Sequence, residues 1–559
     1  MLRYLRNGLV IAGISFALIL FGYPLAATGQ HGFNSALWPN GVVQWGQWYG
    51  YVASVNWSEI FDRYGQMLRN VSNDFAWGGR VVLGFTAAPF AIAAVWLIKG
   101  NDFGLVRDLS GVFGAARWAN AAELGLMKSG LELGTDKSTG RAVRVSVEGN
   151  LLTIAAPRKG KSAGLLIPNL VYPELAAWAG PAVVIDPKGA VFLSVSKRRR
   201  ELGRTVRCVD PVNLVGGADC WNPFKHLDPN DILYLQLTAQ ALLPESVGAT
   251  DSTGYFRSRA VDLLVGAMLV AHQSDEPGLP EVLRLLSEEP AIFVEGLNKL
   301  SSRPAAKIAL GIMMDDPKTR DPIKSTTAQA LSWLADERLR NLVSSSSFDL
   351  TDLMSGDVDL FIAVPTDYNE TLAPLFRWLL ADIFNTIRRH RLAERLVIFI
   401  DEAAALGRFD AILKASGELP GYGASLWTFW QTRQQMVDTY GESGAATLLG
   451  TAEIVTISDV PASDPDESER WSRALGDFTA LVKTKTDAKK GEKPSISTAS
   501  QAARLMTKEE LTTNSESEVI VFPNSRYYAR HPIRLRKTDV LADKRFFGII
   551  AGVKPVGRL

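Results

Sequence analysis

The feature that most constrains this chain is the octapeptide Ala155-Ala156-Pro157-Arg158-Lys159-Gly160-Lys161-Ser162, set between two runs of opposite character. Leu151–Ala155 reads as a short buried strand, and Ala163–Ile167 reads as the first turns of a helix that runs up against Pro168. A strand-to-helix loop of this kind presents successive backbone N–H groups and a helix N-terminus to an anion. The expected phosphate contacts are Ala155, Ala156, Pro157, Arg158, Lys159, Gly160, Lys161, Ser162 and Ala163, with Lys161 reaching the β/γ-phosphates and the Ser162 hydroxyl on Mg²⁺. Ala155 stands where the G-x-x-x-x-G-K-[ST] pattern has its first glycine, so the strict pattern fails at one position.

Two further runs suit the same chemistry. Arg395–Glu402 is an apolar, β-rich stretch closed by two carboxylates, the form in which a buried central strand delivers acids to its C-terminal edge. Asp401 can hold Mg²⁺ through water, and Glu402 can orient and deprotonate an attacking water. Ser425–Gln431 is another apolar run, ending in an amide that a neighbouring strand would place at the γ-phosphate. The expected catalytic residues are therefore Lys161, Glu402 and Gln431, with ATP as substrate and Mg²⁺ held by Ser162 and Asp401. Shorter strands are readable at 182–185, 204–209, 358–364, 453–457 and 519–522, alternating with helical stretches, which predicts an open α/β sheet with its ligand at the carboxyl edge.

At 559 residues the chain exceeds a single hydrophobic core and predicts roughly three or four domains. Helical patterns fill 228–345 (Ile232–Leu243, Gly254–His272, Leu279–Leu286, Ile292–Leu300 and one longer stretch, Pro322–Leu342), so an all-α insertion is expected, splitting a nucleotide-binding domain into 101–227 and 346–559. Val482–Ser500, rich in Lys, Thr, Ser, Gly and Pro, reads as a mobile surface loop, and Lys197–Arg200 as cations at a helix end, where they suit the macrodipole.

Residues 1–100 read as a transmembrane hairpin. Gly8–Ala26 carries no charge and as a helix reaches roughly 28 Å, about the bilayer core. Val81–Ile98 is equally uncharged between Arg80 and Lys99. A cleaved signal peptide is the alternative for the first and a buried core helix for the second. Arg3 and Arg6 before the first run, with Lys99, Arg107 and Arg117 after the second, place both termini in the cytoplasm. The Trp-rich stretch between the runs suits interfacial seating or a small folded periplasmic lobe equally. Lys plus Arg (60) nearly cancels Asp plus Glu (59), so net charge carries no nucleic-acid signal. Only Cys208 and Cys220 are present, without metal-site spacing, so zinc is not expected.

With these elements in place the chain resembles the type IV secretion coupling proteins, the TraG/TraD conjugation family related to the FtsK/HerA ring motors. The resemblance runs from Phe113-Gly114-Ala115-Ala116-Arg117-Trp118-Ala119 to Ala529-Arg530-His531-Pro532-Ile533. It takes in Val184-Ile185-Asp186-Pro187-Lys188-Gly189, Trp221-Asn222-Pro223-Phe224, Ala405-Leu406-Gly407-Arg408 after Asp401-Glu402, and Gln431 with Gln435 and Tyr440-Gly441. It implies a hexameric ring of RecA-like P-loop domains, each capped by an all-α domain, at the inner-membrane end of a secretion channel. By the same resemblance the ring receives relaxase-bound DNA, single- or double-stranded, or secreted protein. It also makes Asp401 and Glu402 the Walker B pair and Gln431 the sensor. No arginine stands in Glu418–Gly423, where some relatives carry one, which leaves Arg408, Arg433 and Arg473 as candidates to act on a neighbouring subunit. An FtsK/HerA-like translocase unconnected with secretion and a membrane scaffold with a vestigial P-loop are the competing readings.

Overall fold

The computed structural model describes residues 106–243, 251–287, 289–363, 365–486, 495–514, 517–524 and 529–550. Both expected membrane runs, at 8–26 and 81–98, lie outside the described residues, and among the described residues no helix is long and apolar enough to cross a membrane.

The strands are β1 (Val106–Arg107), β2 (Leu131–Asp136), β3 (Ala142–Val145), β4 (Asn150–Ala155), β5 (Ala182–Asp186), β6 (Thr205–Val209) and β7 (Val358–Ala363). They continue as β8 (Leu396–Ile400), β9 (Ala424–Trp430), β10 (Ala452–Ser458), β11 (Asp477–Thr486), β12 (Ser495–Arg504), β13 (Glu518–Pro523) and β14 (Ile533–Arg536). The described residues divide into two units, one holding 106–108 with those of 480–501, the other those of 109–479 and 502–550. In the first, β1 pairs with β11, Val106 opposite Leu481 and Arg107 opposite Ala480.

The second unit is built on an 11-stranded mixed sheet in the order β3-β2-β14-β13-β10-β4-β9-β8-β5-β7-β6. From β10 to β6 all neighbours run parallel; β13, β14, β2 and β3 extend the β10 side antiparallel. The parallel strands β5, β8 and β9 are buried along their whole length, which is why they read as unbroken apolar runs. Parallel neighbours need crossovers, supplied here by helices Ala190–Glu201, Asn369–Arg389, Asp410–Glu418 and Arg433–Thr451. The last kinks at Gly441, whose φ of 73° is open to glycine and strained for other residues.

Buried charge sits inside this sheet. Asp359, the second residue of β7, has no exposure, and the equally buried Arg199 grips it from helix Ala190–Glu201 at 2.6 and 2.8 Å. Arg199 also donates to the carbonyls of Gly180 and Leu170, and Asp359 accepts from the Ala182 N–H of β5. The Lys197–Arg200 run does lie in the last turns of its helix, and its third member, Arg199, is one half of a core ion pair.

Between β6 and β7 the described residues form helices and short 3₁₀ turns only. The stretch expected as one helix over 322–342 is instead Pro317–Gln329, a 3₁₀ turn Ser332–Ala335 and Glu337–Ser344; helix Pro304–Met314 precedes them unanticipated. Aspartates set these starts: the side chains of Asp316 and Asp336 accept from the N–H groups of Lys318 and Arg338. Proline at the first turn, as at Pro317 and Pro304, lacks only a donor that has no partner there. The expected loop at 482–500 is also corrected, because β11 runs through 486 and β12 begins at 495. Val482, Thr484 and Thr486 alternate with lysines, and β-branched residues at period two favour a strand over the loop suggested by composition.

Candidate functional site

Because β4, β9, β8 and β5 run parallel, Ala155, Trp430, Ile400 and Asp186 all end at one edge of the sheet. The residues that follow them meet there.

Ala155 completes β4 and pairs with Ser458 of β10. It has no left-handed backbone, so alanine fills the first glycine slot without strain. The left-handed positions are further on, at Arg158 (φ 62°) and Gly160 (φ 78°). Ser162–Leu166 forms a π-helical turn closed by Ile167 N–H donating to the Ser162 carbonyl, followed by helix Ile167–Val171. Pro168 lies inside this short helix rather than ending it at its start. Its ring cannot donate to the carbonyl of residue 164, and the widened turn accommodates that loss.

The Ser162 hydroxyl donates to both carboxylate oxygens of Asp401, at 3.0 and 2.8 Å. Gln431 Nε2 donates to Glu402 Oε2 at 2.8 Å, and Gln431 is itself steadied by its N–H donating to Gln435 Oε1. Lys161 Nζ stands 4.0 Å from Glu402 Oε2. Glu402 Oε1 is buried and has no hydrogen-bond partner among the described residues. Burial pushes the Asp401 carboxyl up to about 7 against the Ser162 hydrogen bond, with Asp186 and Glu402 adding repulsion and Lys161 opposing it. Burial also lowers the Lys161 ammonium, and raises the Asp186 carboxyl. A cation beside Asp401 would reverse its shift and hold it ionised.

A cleft of about 900 Å³ opens over these groups, lined by Pro157, Arg158, Gly160, Lys161, Ser162 and Ala163 together with Asp401, Glu402 and Gln431. The sequence-predicted Lys161, Ser162, Asp401, Glu402 and Gln431 are therefore one constellation. Of the expected phosphate contacts, Ala155, Ala156 and Lys159 are not among the residues that line the cleft, and Lys159 presents its carbonyl to Lys537 Nζ at 3.1 Å. Lys537 also pairs with Asp459, just past β10, so the C-terminal segment buttresses the loop.

A hydroxyl and a carboxylate at hydrogen-bond distance are a fitting donor pair for Mg²⁺, which takes few protein oxygens and keeps several waters. The orphaned Glu402 oxygen is a free acceptor in the same cleft.

Residue reading missed other members of the lining: Lys188, Asn369, Glu370 and Arg377. Lys188 had a usable signal. It follows β5, the strand beside β8, and Asp186 shapes its turn by accepting from Lys188 N–H and Phe192 N–H. The three candidate arginines differ. Arg433 is buried and bound to Glu442, Arg408 pairs with Asp410 at 3.2 Å, and Arg473 is largely exposed beside Glu469.

A family profile described as "Type IV secretory system Conjugative DNA transfer" matches residues 132–547. The chain is 27% identical over 401 residues to "Conjugal transfer protein TraG" of Agrobacterium fabrum, covering 68% of this chain and 60% of that one. It is 23% identical over 409 residues to "Protein VirD4" of Rhizobium radiobacter, covering 70% and 57%. These matches span less than two thirds of the relatives' own lengths. In fold it resembles the bacterial conjugative coupling protein TrwBdeltaN70 in complex with sulphate, with a TM-score of 0.60 at 18% identity over 78% of this chain and 96% of that one. It also resembles the plasmid coupling protein TrwB in complex with ADP and Mg²⁺, with a TM-score of 0.58 at 18% identity over 78% and 95%. At that identity the likeness establishes the shared fold. The profile match begins inside β2, runs past the last strand, and takes in every residue of the cleft: the chain belongs to the type IV secretory system conjugative DNA transfer family.

Proposed function

We propose that this chain is a membrane-anchored ATPase that couples nucleotide hydrolysis to delivery of relaxase-bound DNA, or of protein, into a type IV secretion channel. The carrying observation is the pair of hydrogen bonds, Ser162 to Asp401 and Gln431 to Glu402, which gathers residues after β4, β8 and β9 into one cleft. In this reading the loop from Ala155 to Ala163 cradles the phosphates and Lys161 binds the β/γ-phosphates. Ser162 and Asp401 would hold Mg²⁺, which when bound neutralises charge on those phosphates. Glu402 accepts the proton of the attacking water through its free Oε1, while Gln431 fixes its other oxygen.

The same reading gives 101–227 and 346–559 as one nucleotide-binding domain of RecA type, 228–345 as an all-α domain facing relaxase or protein cargo, and 1–100 as a hairpin in the bacterial inner membrane. Both termini are cytoplasmic and six copies form a ring in it. The family match and the TrwB-like fold support this organisation.

For DNA cargo, ATP hydrolysis by the full chain purified in detergent is expected to rise when DNA is added at low salt. That stimulation should fall steeply between about 50 and about 200 mM salt, because phosphate contacts release counterions. Unstimulated hydrolysis at low salt would instead point to protein cargo.

A further inference from the structure

Arg377 lies in helix Asn369–Arg389 and is 5% exposed, yet it lines the same cleft as Lys161, Ser162 and Asp401. Its Nε donates to the carbonyl of Ala241 at 2.8 Å, in the last turn of helix Ile232–Leu242. Its Nη1 donates to the carbonyl of Leu406 at 2.9 Å, in the turn Ala403–Leu406 that follows Glu402. Among the described residues no carboxylate lies within ion-pair distance of it, and burial lowers the guanidinium to about 10. A guanidinium has five donors, and these contacts use two of them.

A buried cation without an anion is costly. Here the negative charge of bound phosphates would enter the cleft that Arg377 lines. The two carbonyls it already holds belong to the loop beside the acidic pair and to the first helix of the stretch between β6 and β7. Gly407, next along that loop, has φ 62°, and a Cβ placed there would sit 3.6 Å from Arg377 Nη1, so the loop and the guanidinium are closely packed.

We propose that Arg377 is a positioning residue that ties phosphate charge in the cleft to helix Ile232–Leu242, tightening that helix when nucleotide is bound and releasing it when nucleotide leaves. This rests on the reading of the cleft as an ATP site. It assigns the link between hydrolysis and the helical stretch to one side chain acting within its own subunit.

The test is amide hydrogen exchange over 232–242 in the full chain, with and without a non-hydrolysable ATP analogue and Mg²⁺, in wild type, Arg377→Gln and Arg377→Lys. Nucleotide affinity is measured in parallel by fluorescent-nucleotide titration. In wild type the analogue is expected to slow exchange there by about tenfold or more, the scale of a local opening shifted by a bound charge. In Arg377→Gln that slowing is lost while affinity stays within about tenfold. Should the glutamine variant fail to fold, Arg377→Lys decides. Its single ammonium keeps the charge but cannot span both carbonyls, so most of the slowing is lost with affinity retained. Equal slowing in a folded variant and wild type overturns the inference alone. Loss of nucleotide binding in both variants makes Arg377 a direct phosphate ligand and likewise overturns it. A wild-type chain that binds no nucleotide overturns the ATP reading itself.

Discussion

Replacing Glu402 by Gln is expected to lower ATP turnover by about 10²–10⁴-fold, the range for losing a positioned general base. The substitution is nearly isosteric. The amide oxygen still accepts from Gln431 Nε2, which now reaches Glu402 Oε2 at 2.8 Å, so the architecture survives. What disappears is the carboxylate acceptor at Oε1, which is buried and has no hydrogen-bond partner among the described residues, and which takes the water's proton in the proposed mechanism. Nucleotide affinity should hold or tighten, because one negative charge leaves the neighbourhood of the incoming phosphates while Lys161, 4.0 Å away, keeps its own. Single-turnover hydrolysis with nucleotide titration separates the two effects. A turnover number within about threefold of wild type would remove Glu402 from the chemistry, since a base contributes far more than that.

The second large effect is on folding. Arg199→Ala should cost about 3–5 kcal/mol, the usual consequence of breaking a buried pair from one side. Asp359 would be left charged and buried near the start of β7, and the carbonyls of Leu170 and Gly180 would lose their donor. Leu170 belongs to the helix that follows the proposed phosphate loop, so local disorder should also weaken nucleotide binding. Replacing both partners by apolar residues of similar volume, Arg199→Met with Asp359→Leu, should recover part of the loss, because no unpaired charge remains while Ala182 N–H and the Gly180 carbonyl still lose their partners. Denaturant unfolding of the single and double variants checks this. A single-variant loss under about 1 kcal/mol, or a double variant no better than the single, would contradict the account.

Arg199 also shows where the sequence was legible and was not fully used. Val191, Val195 and Arg199 recur every fourth residue, and the first two are plainly core. Helical spacing therefore carries Arg199 onto the buried face, whereas the cluster Lys197–Arg200 by itself reads only as cations at a helix end. The central strands were readable because burial on both faces leaves apolar runs closed by the residues that do the work, as in Leu396–Ile400 before Asp401 and Ala424–Trp430 before Gln431. The antiparallel strands β2, β3 and β14 were not. In β14 only Ile533 and Leu535 are buried, alternating with exposed Arg534 and Arg536, a pattern too short to separate from a loop. Gly134 and Gly130 further blur the run around β2. Arg377 had no sequence signal. Its acceptors, Ala241 and Leu406, are 136 and 29 residues away, so only the folded chain brings them together.

The central claim is that hydrolysis in this cleft drives transfer. It is tested most directly by mating, with donors whose own copy is deleted supplied with wild-type or Lys161→Ala chain at equal expression. Lys161 lies in the proposed phosphate loop and stands 4.0 Å from Glu402, so its loss should abolish ATP turnover and bring DNA transfer to the level of the deletion. Transfer at wild-type frequency by the Lys161→Ala chain would contradict the account and leave the cleft without a part in the work.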